Sequence, residues 1–302
     1  MMKKVVIVII TLLLGLAVWY LYIKKYDYEI SFKANAAPGS VYDQVKNLRS
    51  SAKTNDIKEI YPYESLQQKI VVDKIPVTLE WNFKSIGDTV TKIDVGIISQ
   101  DHSFTNRLNV LIGASTIIDS VKSNLIDFRK KIMNYTNSFM VVIDGEAELP
   151  EMEFISVSSK TKRYRKANEM MRSNAYLYPM LTKNDIQKTG FPFVNISNWD
   201  TKTDSIHLDF GFPIRYQDSL PVGSGINVGK IKSKKALKAT YHGNYRNSDE
   251  AWFVLLAYAR KNDILVENTP LEIFYNNPMQ GGNELEWKAE IFLPIKDEYA
   301  EE

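Results

Sequence analysis

Between Lys3-Lys4 and Lys24-Lys25 the chain carries VVIVIITLLLGLAVWYLYI, residues 5 to 23, without one charged side chain. As a helix this run measures about 28 Å, close to the hydrocarbon thickness of a bilayer. It therefore reads as a membrane-spanning anchor, with everything after it confined to one side. Trp19, Tyr20 and Tyr22 stand at its far end, where aromatic side chains settle between lipid tails and headgroups. A cleaved signal peptide would have a shorter apolar stretch followed by a small-x-small cleavage site, whereas this run ends in bulky residues and lysines. The flanking lysines are balanced. The free N-terminal amine on one side, and Asp27 and Glu29 on the other, predict an outward-facing body.

The remaining chain has the means to build a core, since 44% of the 302 residues are hydrophobic and 12% aromatic. A net charge of only +2 supplies no general field to attract nucleic acid. The absence of cysteine removes thiol nucleophiles, thiolate metal sites and disulfides together. His102, His207 and His242 are too scattered for metal-ligand spacing, no Gly-x-Ser-x-Gly elbow is present, and no cofactor motif appears. Gly223, Gly225 and Gly229 miss both phosphate-loop patterns and read as a flexible linker. The basic runs Lys160 to Lys166 and Lys230 to Lys238 read as solvated faces, with anionic lipid contact as the alternative.

Patterning divides the body near residue 150. YDYEISFKANA alternates as a first strand, Pro38-Gly39 breaks it, and Ser40 is placed to cap a helix over VYDQVKNL. Two alternating stretches between residues 68 and 99 turn at Ile86-Gly87-Asp88. From Phe104 to about Asn134, Leu108, Leu111, Ile112, Ser115, Ile118, Ile126 and Ile132 recur at helical spacing and predict one long amphipathic helix. The Asp144-Gly145 turn and Pro150 mark the boundary. Residues 28 to 134, with a strand, a helix after Ala37-Pro38, more strands and a final helix after Thr105-Asn106-Arg107-Leu108, resemble the START-like (SRPBCC, helix-grip) family. Too few strands can be placed for a full helix-grip sheet, so a reduced version is expected.

The second half repeats itself. SIHLDFGFPI (205 to 214) and ELEWKAEIFLPI (284 to 295) both alternate and end on aromatic-x-Pro-Ile or Leu-Pro-Ile. Each follows a shorter strand, FPFVNISNW or LEIFYNNP, then, going back along the chain, a helix, then another strand, MEFISVSSKT or KKALKATYHG. The first helix lies within residues 165 to 187. The second has Ser248 as its cap and Ala251, Trp252, Leu255, Leu256 and Ala259 on one face. Strand-helix-strand-strand, twice, predicts two modules about a pseudo-twofold axis with a groove between them.

Within this half Tyr241, Gly243 and Tyr245 form a Y-x-G-x-Y turn, Ala251-Trp252 open a helix, and Glu272 and Pro278 hold a six-residue spacing. Glu290-Ile291 and Pro294-Ile295 close the pattern, and residues 151 to 296 thereby resemble the GyrI-like domain, also the effector-binding domain of AraC-type regulators. One departure is that the tyrosine expected two residues after Glu272 is Phe274, with Tyr275 on the opposite strand face.

The predicted fold is α+β: an anchor over 1–25, a START-like domain over 26–148 and a duplicated GyrI-like domain over 151–296. What the second resemblance implies is an aromatic pocket with a carboxylate at its base, suited to hydrophobic and cationic small molecules. Glu272 is the expected carboxylate, and Trp252, Tyr245, Phe274 and Trp199 the expected aromatic lining. No second titratable group is visible beside Glu272, so no catalytic residue is assigned and a binding module is read ahead of an enzyme. The alternatives are a hydrolase of electrophilic or strained compounds using Glu272, and an interaction module with a vestigial pocket that binds an envelope protein.

Overall fold

The structure, a computed structural model, describes residues 2–48, 56–215 and 225–296. Among them, helix α1 (Met2–Val18) continues through a π turn, Trp19–Ile23, and this stretch is long and apolar enough to cross a membrane. The chain divides into two compact units, Met1–Met133 and Asn134–Glu302. The division falls ahead of the break expected near 150, because residues 139–148 form a strand of the second sheet.

In the first unit β1 (Tyr28–Ala34) leads to α2 (Pro38–Lys46). Pro38 sits at the first helical position, where its missing N–H goes unnoticed, so the helix starts earlier than a Ser40 cap allows and Ser40 is buried within it. Strands β2 (Asp56–Tyr61), β3 (Ser65–Val72), β4 (Ile75–Gly87) and β5 (Val90–Ser99) complete a five-stranded antiparallel sheet in the order β1-β5-β4-β3-β2. The single helix expected from Phe104 onward is two, α3 (Ser103–Leu111) and α4 (Thr116–Thr136). Gly113 at φ 70° ends the first. Ser115 caps the second, its hydroxyl accepting the Ile118 N–H at 3.2 Å, and so terminates the helical stripe in which its spacing had placed it. On α4, Ile117, Ile118, Val121, Leu125, Phe128 and Ile132 are buried, and Trp81 meets the Phe128 ring edge-on at 5.5 Å.

The second unit holds an eight-stranded antiparallel sheet. Its elements are β6 (Phe139–Glu148), β7 (Met152–Lys162), α5 (Lys166–Lys183), β8 (Phe193–Asp200), β9 (Ser205–Pro213), β10 (Ile226–Ile231), β11 (Lys235–Gly243), α6 (Glu250–Lys261), β12 (Leu271–Phe274) and β13 (Lys288–Pro294). The strand order is β10-β7-β9-β8-β12-β13-β11-β6. Its centre is a mirror: β7-β9-β8 meets β12-β13-β11, the two predicted modules joined at the β8–β12 pair, with α5 and α6 as their helices. The outer strands β10 and β6 add to the duplication at its edges. Asp144-Gly145, read as a turn, is instead a bulge in β6, where Gly145 pairs with Lys238 and Ile143 with the next residue, Ala239. The expected linker is in part β10, with Gly225 in the turn just before it and Gly229 within it, while Gly223 lies outside the described residues.

Candidate functional site

Strand β12 alternates between the two faces of the sheet. Leu271 and Ile273 join Leu149, Phe193, Ala236 and Phe292 in one core cluster, and Glu272 and Phe274 occupy the other face. Above Glu272 the first turns of α5 and α6 converge. The Nζ of Lys166 donates to both Glu272 oxygens, at 2.6 and 2.9 Å. The Trp252 indole N–H donates to Oε1 at 2.7 Å and the Ser248 hydroxyl to Oε2 at 2.9 Å. Glu272 and Lys166 are both fully buried. Burial pushes the Glu272 carboxyl above the usual range, with Lys166 and Ser248 pulling it part of the way back. The Lys166 ammonium also lies 4.8 Å from the centre of the Trp252 ring.

The ion pair extends sideways. Asp249 lies 3.7 Å from Lys166 and accepts from Arg163, whose Nε also donates to Asp204 at 2.9 Å. Ser248 is thus not the cap of α6, which begins at Glu250 with no side-chain cap; its hydroxyl is committed to Glu272.

The expected aromatic residues come together around this centre, and all of them are buried. Trp199 packs edge-on against Trp252 at 5.1 Å, while Tyr245 faces Phe274 at 4.8 Å and Trp287 at 5.8 Å. The Tyr245 hydroxyl donates to the Lys288 carbonyl at 2.7 Å and accepts the Asn276 N–H at 3.0 Å, and burial raises its pKa to about 12. The Y-x-G-x-Y turn has a steric origin: Gly243 adopts φ 148°, and a Cβ there would sit 2.6 Å from the Tyr241 hydroxyl and 2.8 Å from the Phe139 Cβ.

Sequence reading missed Lys166 and Arg163, placing both in a solvated basic run. A signal was available: Lys166, Met170, Ser173, Leu177 and Leu181, the buried positions of α5, follow helical three- and four-residue spacing, so the lysine begins an apolar stripe.

On the other side of β12, Tyr275 donates to Glu290 at 2.7 Å, away from Glu272. Glu290 is further paired with Lys238 at 3.0 Å and Lys288 at 2.9 Å. Burial works against the charged form, but these donors outweigh it and hold the Glu290 pKa at about 2. Its stabilising contribution is therefore present above the unfolded carboxylate value and lost as pH falls through about 2. Glu290→Gln is expected to flatten the acid dependence of the urea midpoint between about pH 4 and 2. An unchanged slope in that window would rule the assignment out.

Residues 146–296 match the family model of the GyrI-like small molecule binding domain. Among solved structures the chain is similar to the C-terminal domain of EcmrR, at 17% identity and a TM-score of 0.41, covering 53% of this chain and 98% of that one. It is also similar to SAV2435 bound to tetraphenylphosphonium, at 11% identity and a TM-score of 0.36, covering 51% and 94%. A hydrolase from Listeria innocua aligns at 14% identity and a TM-score of 0.31, covering 56% and 98%. A search of curated proteins returns no match to the chain.

Proposed function

The chain belongs to the GyrI-like small molecule binding domain family, and from that premise we propose a membrane-anchored protein whose second unit captures hydrophobic small molecules, organic cations among them. In this reading Lys166 holds the cation position of the site, and a ligand enters by displacing it. The observation that carries the reading is the Lys166–Glu272 pair. A carboxylate, an indole face and the accepting oxygen of the Ser248 hydroxyl are arranged around an ammonium, which is the chemistry that would hold a foreign cation. Lys166 starts α5 and Glu272 lies on β12, so the pair bridges the two modules. A cation taking its place would break that bridge while leaving each module's own strands intact.

The anchor, residues 5–23 of the α1 stretch, keeps the site at a membrane surface where lipophilic compounds accumulate, with the body on the outer side. The first unit is read as a reduced helix-grip domain, supported by its five-stranded antiparallel sheet and the buried stripe of α4, which meets it at Trp81 and Phe128. Catalysis by Glu272 is disfavoured, because both oxygens of this fully buried carboxylate already accept hydrogen bonds, two of them from a lysine. The same complete pairing favours one second reading, an interaction module whose pocket is permanently closed.

Full-length protein in nanodiscs, titrated with tetraphenylphosphonium against empty nanodiscs, separates the two. Saturable tryptophan quenching is expected, with Lys166 gaining reactivity towards an amine-modifying reagent at the same midpoint. Glu272→Gln is expected to weaken binding at least about tenfold, or ~1.4 kcal/mol. Quenching without a change at Lys166 would sink the displacement step, and no saturable quenching would leave the interaction module.

A further inference from the structure

Helix α3 is two-sided. Asn106 and Arg107 are buried on one side, while Phe104, Leu108, Leu111 and the following Ile112 are 44%, 40%, 63% and 77% exposed. Their spacing of four, three and one residues gathers these four side chains into a single stripe. Exposed apolar residues scattered singly are ordinary, but this stripe is continuous with the end of the α1 stretch. Phe104 packs its ring against that of Tyr22 at 5.4 Å. Arg107 donates from Nη1 to the Tyr20 carbonyl at 2.7 Å and from Nη2 to the Lys24 carbonyl at 2.5 Å. The Arg107 Nε–H is held by Asp27 at 2.9 Å, and Asp27 also accepts from Asn106, Ser103 and the Ser99 backbone.

We propose that α3 lies in the bilayer interface, with Phe104, Leu108, Leu111 and Ile112 inserted at the boundary between headgroups and acyl chains of the membrane that α1 crosses. The proposal rests on the anchor reading and adds a second contact to it. The Tyr20 carbonyl lies three residues before Ile23, about 4–5 Å along the axis inside the end of the apolar run. Arg107, bonded there and to the Lys24 carbonyl just past the run, straddles the boundary between acyl chains and headgroups, and the stripe on the same helix lies beside it. Charge agrees, since Lys24 and Lys25 flank the same corner and favour anionic headgroups. Trp19 and Tyr22, both exposed, are aromatic side chains of the kind that populate this layer. An amphipathic segment held this way lies in the plane of the membrane and does not cross it.

The chain has no cysteine, so single cysteines at Leu13, Leu111, Ile112 and Tyr61 of the full-length protein can each carry an environment-sensitive fluorophore. Tyr61 is an exposed control on β2, the sheet edge farthest from β1. All are exposed positions, so folding is not at stake. In vesicles of phosphatidylcholine and phosphatidylglycerol, bromines at mid-chain are expected to quench Leu13. Bromines near the headgroup are expected to quench Leu111 and Ile112 at least about twofold more than Tyr61. Quenching at Leu13 with Leu111 and Ile112 matching Tyr61 would overturn the proposal while the anchor stands. An unquenched Leu13 would overturn the anchor and this inference together. Self-quenching at Leu111 and Ile112 that disappears on dilution with unlabelled chain would put a second copy on the stripe, and would also overturn it.

Discussion

Lys166→Met destabilises the second unit by about 3–5 kcal/mol, because it leaves the Glu272 carboxylate buried with no opposite charge. For a unit of this size the expected fall in Tm is roughly 6–20 °C. Glu272→Gln acts in the same direction, leaving an ammonium in the same site. The double variant is the decisive one. With both charges gone, the amide oxygen can still accept from Trp252 and Ser248, and a methionine side chain fills the lysine's volume. It is therefore expected to be less damaged than either single variant, a strong positive coupling. Hydrogen exchange followed in peptides spanning α6 and β12 gives the local reading: roughly 150- to 4,000-fold faster in the single variants, and recovered for the most part in the double. Simple additivity of the two changes would show that the pair is not coupled, and would remove the basis for treating Lys166 as the occupant of a cation position.

Arg107→Ala is the second large effect. Arg107 and Asp27 are a buried pair in the first unit, with side chains 6% and 0% exposed. Removing the guanidinium strands Asp27 and frees the carbonyls of Tyr20 and Lys24, at a cost of about 3–5 kcal/mol. Exchange in β1 and β5, which flank Asp27, should accelerate by a similar roughly 150- to 4,000-fold. Burial alone would raise the Asp27 pKa, but hydrogen bonds from Ser103, Ser99 and Arg107 lower it overall. With a depressed folded pKa, the stabilisation is present above the unfolded aspartate value and lost as pH falls through the folded one. The alanine variant should lose its share of that acid dependence. Unchanged exchange in β1 and β5 would mean that Ser99, Ser103 and Asn106 suffice to hold Asp27.

Periodicity carried much of the second unit, because each module's strands bury one face and alternate cleanly. SIHLDFGFP and KAEIFLP are visible for that reason, and so is the stripe of α6. What escaped did so for local reasons. Strand β6 alternates from end to end, yet Asp144-Gly145 has the composition of a turn, and only the partner strand β11 makes it a bulge. Strand β10 is short and glycine-bearing, with Gly229 seated under the Phe154 ring, where a Cβ would come within 2.9 Å. In the candidate site, Glu272, Trp252, Tyr245, Phe274 and Trp199 are each marked in the sequence by the resemblance or by aromatic character. Their relation to Lys166 is not, because it is made between residues more than a hundred positions apart. A lysine inside a basic run carries no mark of burial except its register on α5.

The mirrored strand order has a further consequence. If two identical modules met in an isologous dimer, every contact across the axis would occur twice, residue i of one copy facing residue j of the other and the reverse. Helix starts would then be alike, yet α5 begins with Lys166 and α6 with Glu250. The partner in register with Glu272 is Val194, not a second glutamate. Covalent fusion of the halves frees each to change alone. That heterogeneity is what permits a single acid to meet a single base near the axis, and it leaves one such site where a symmetric pair of modules would have two or none.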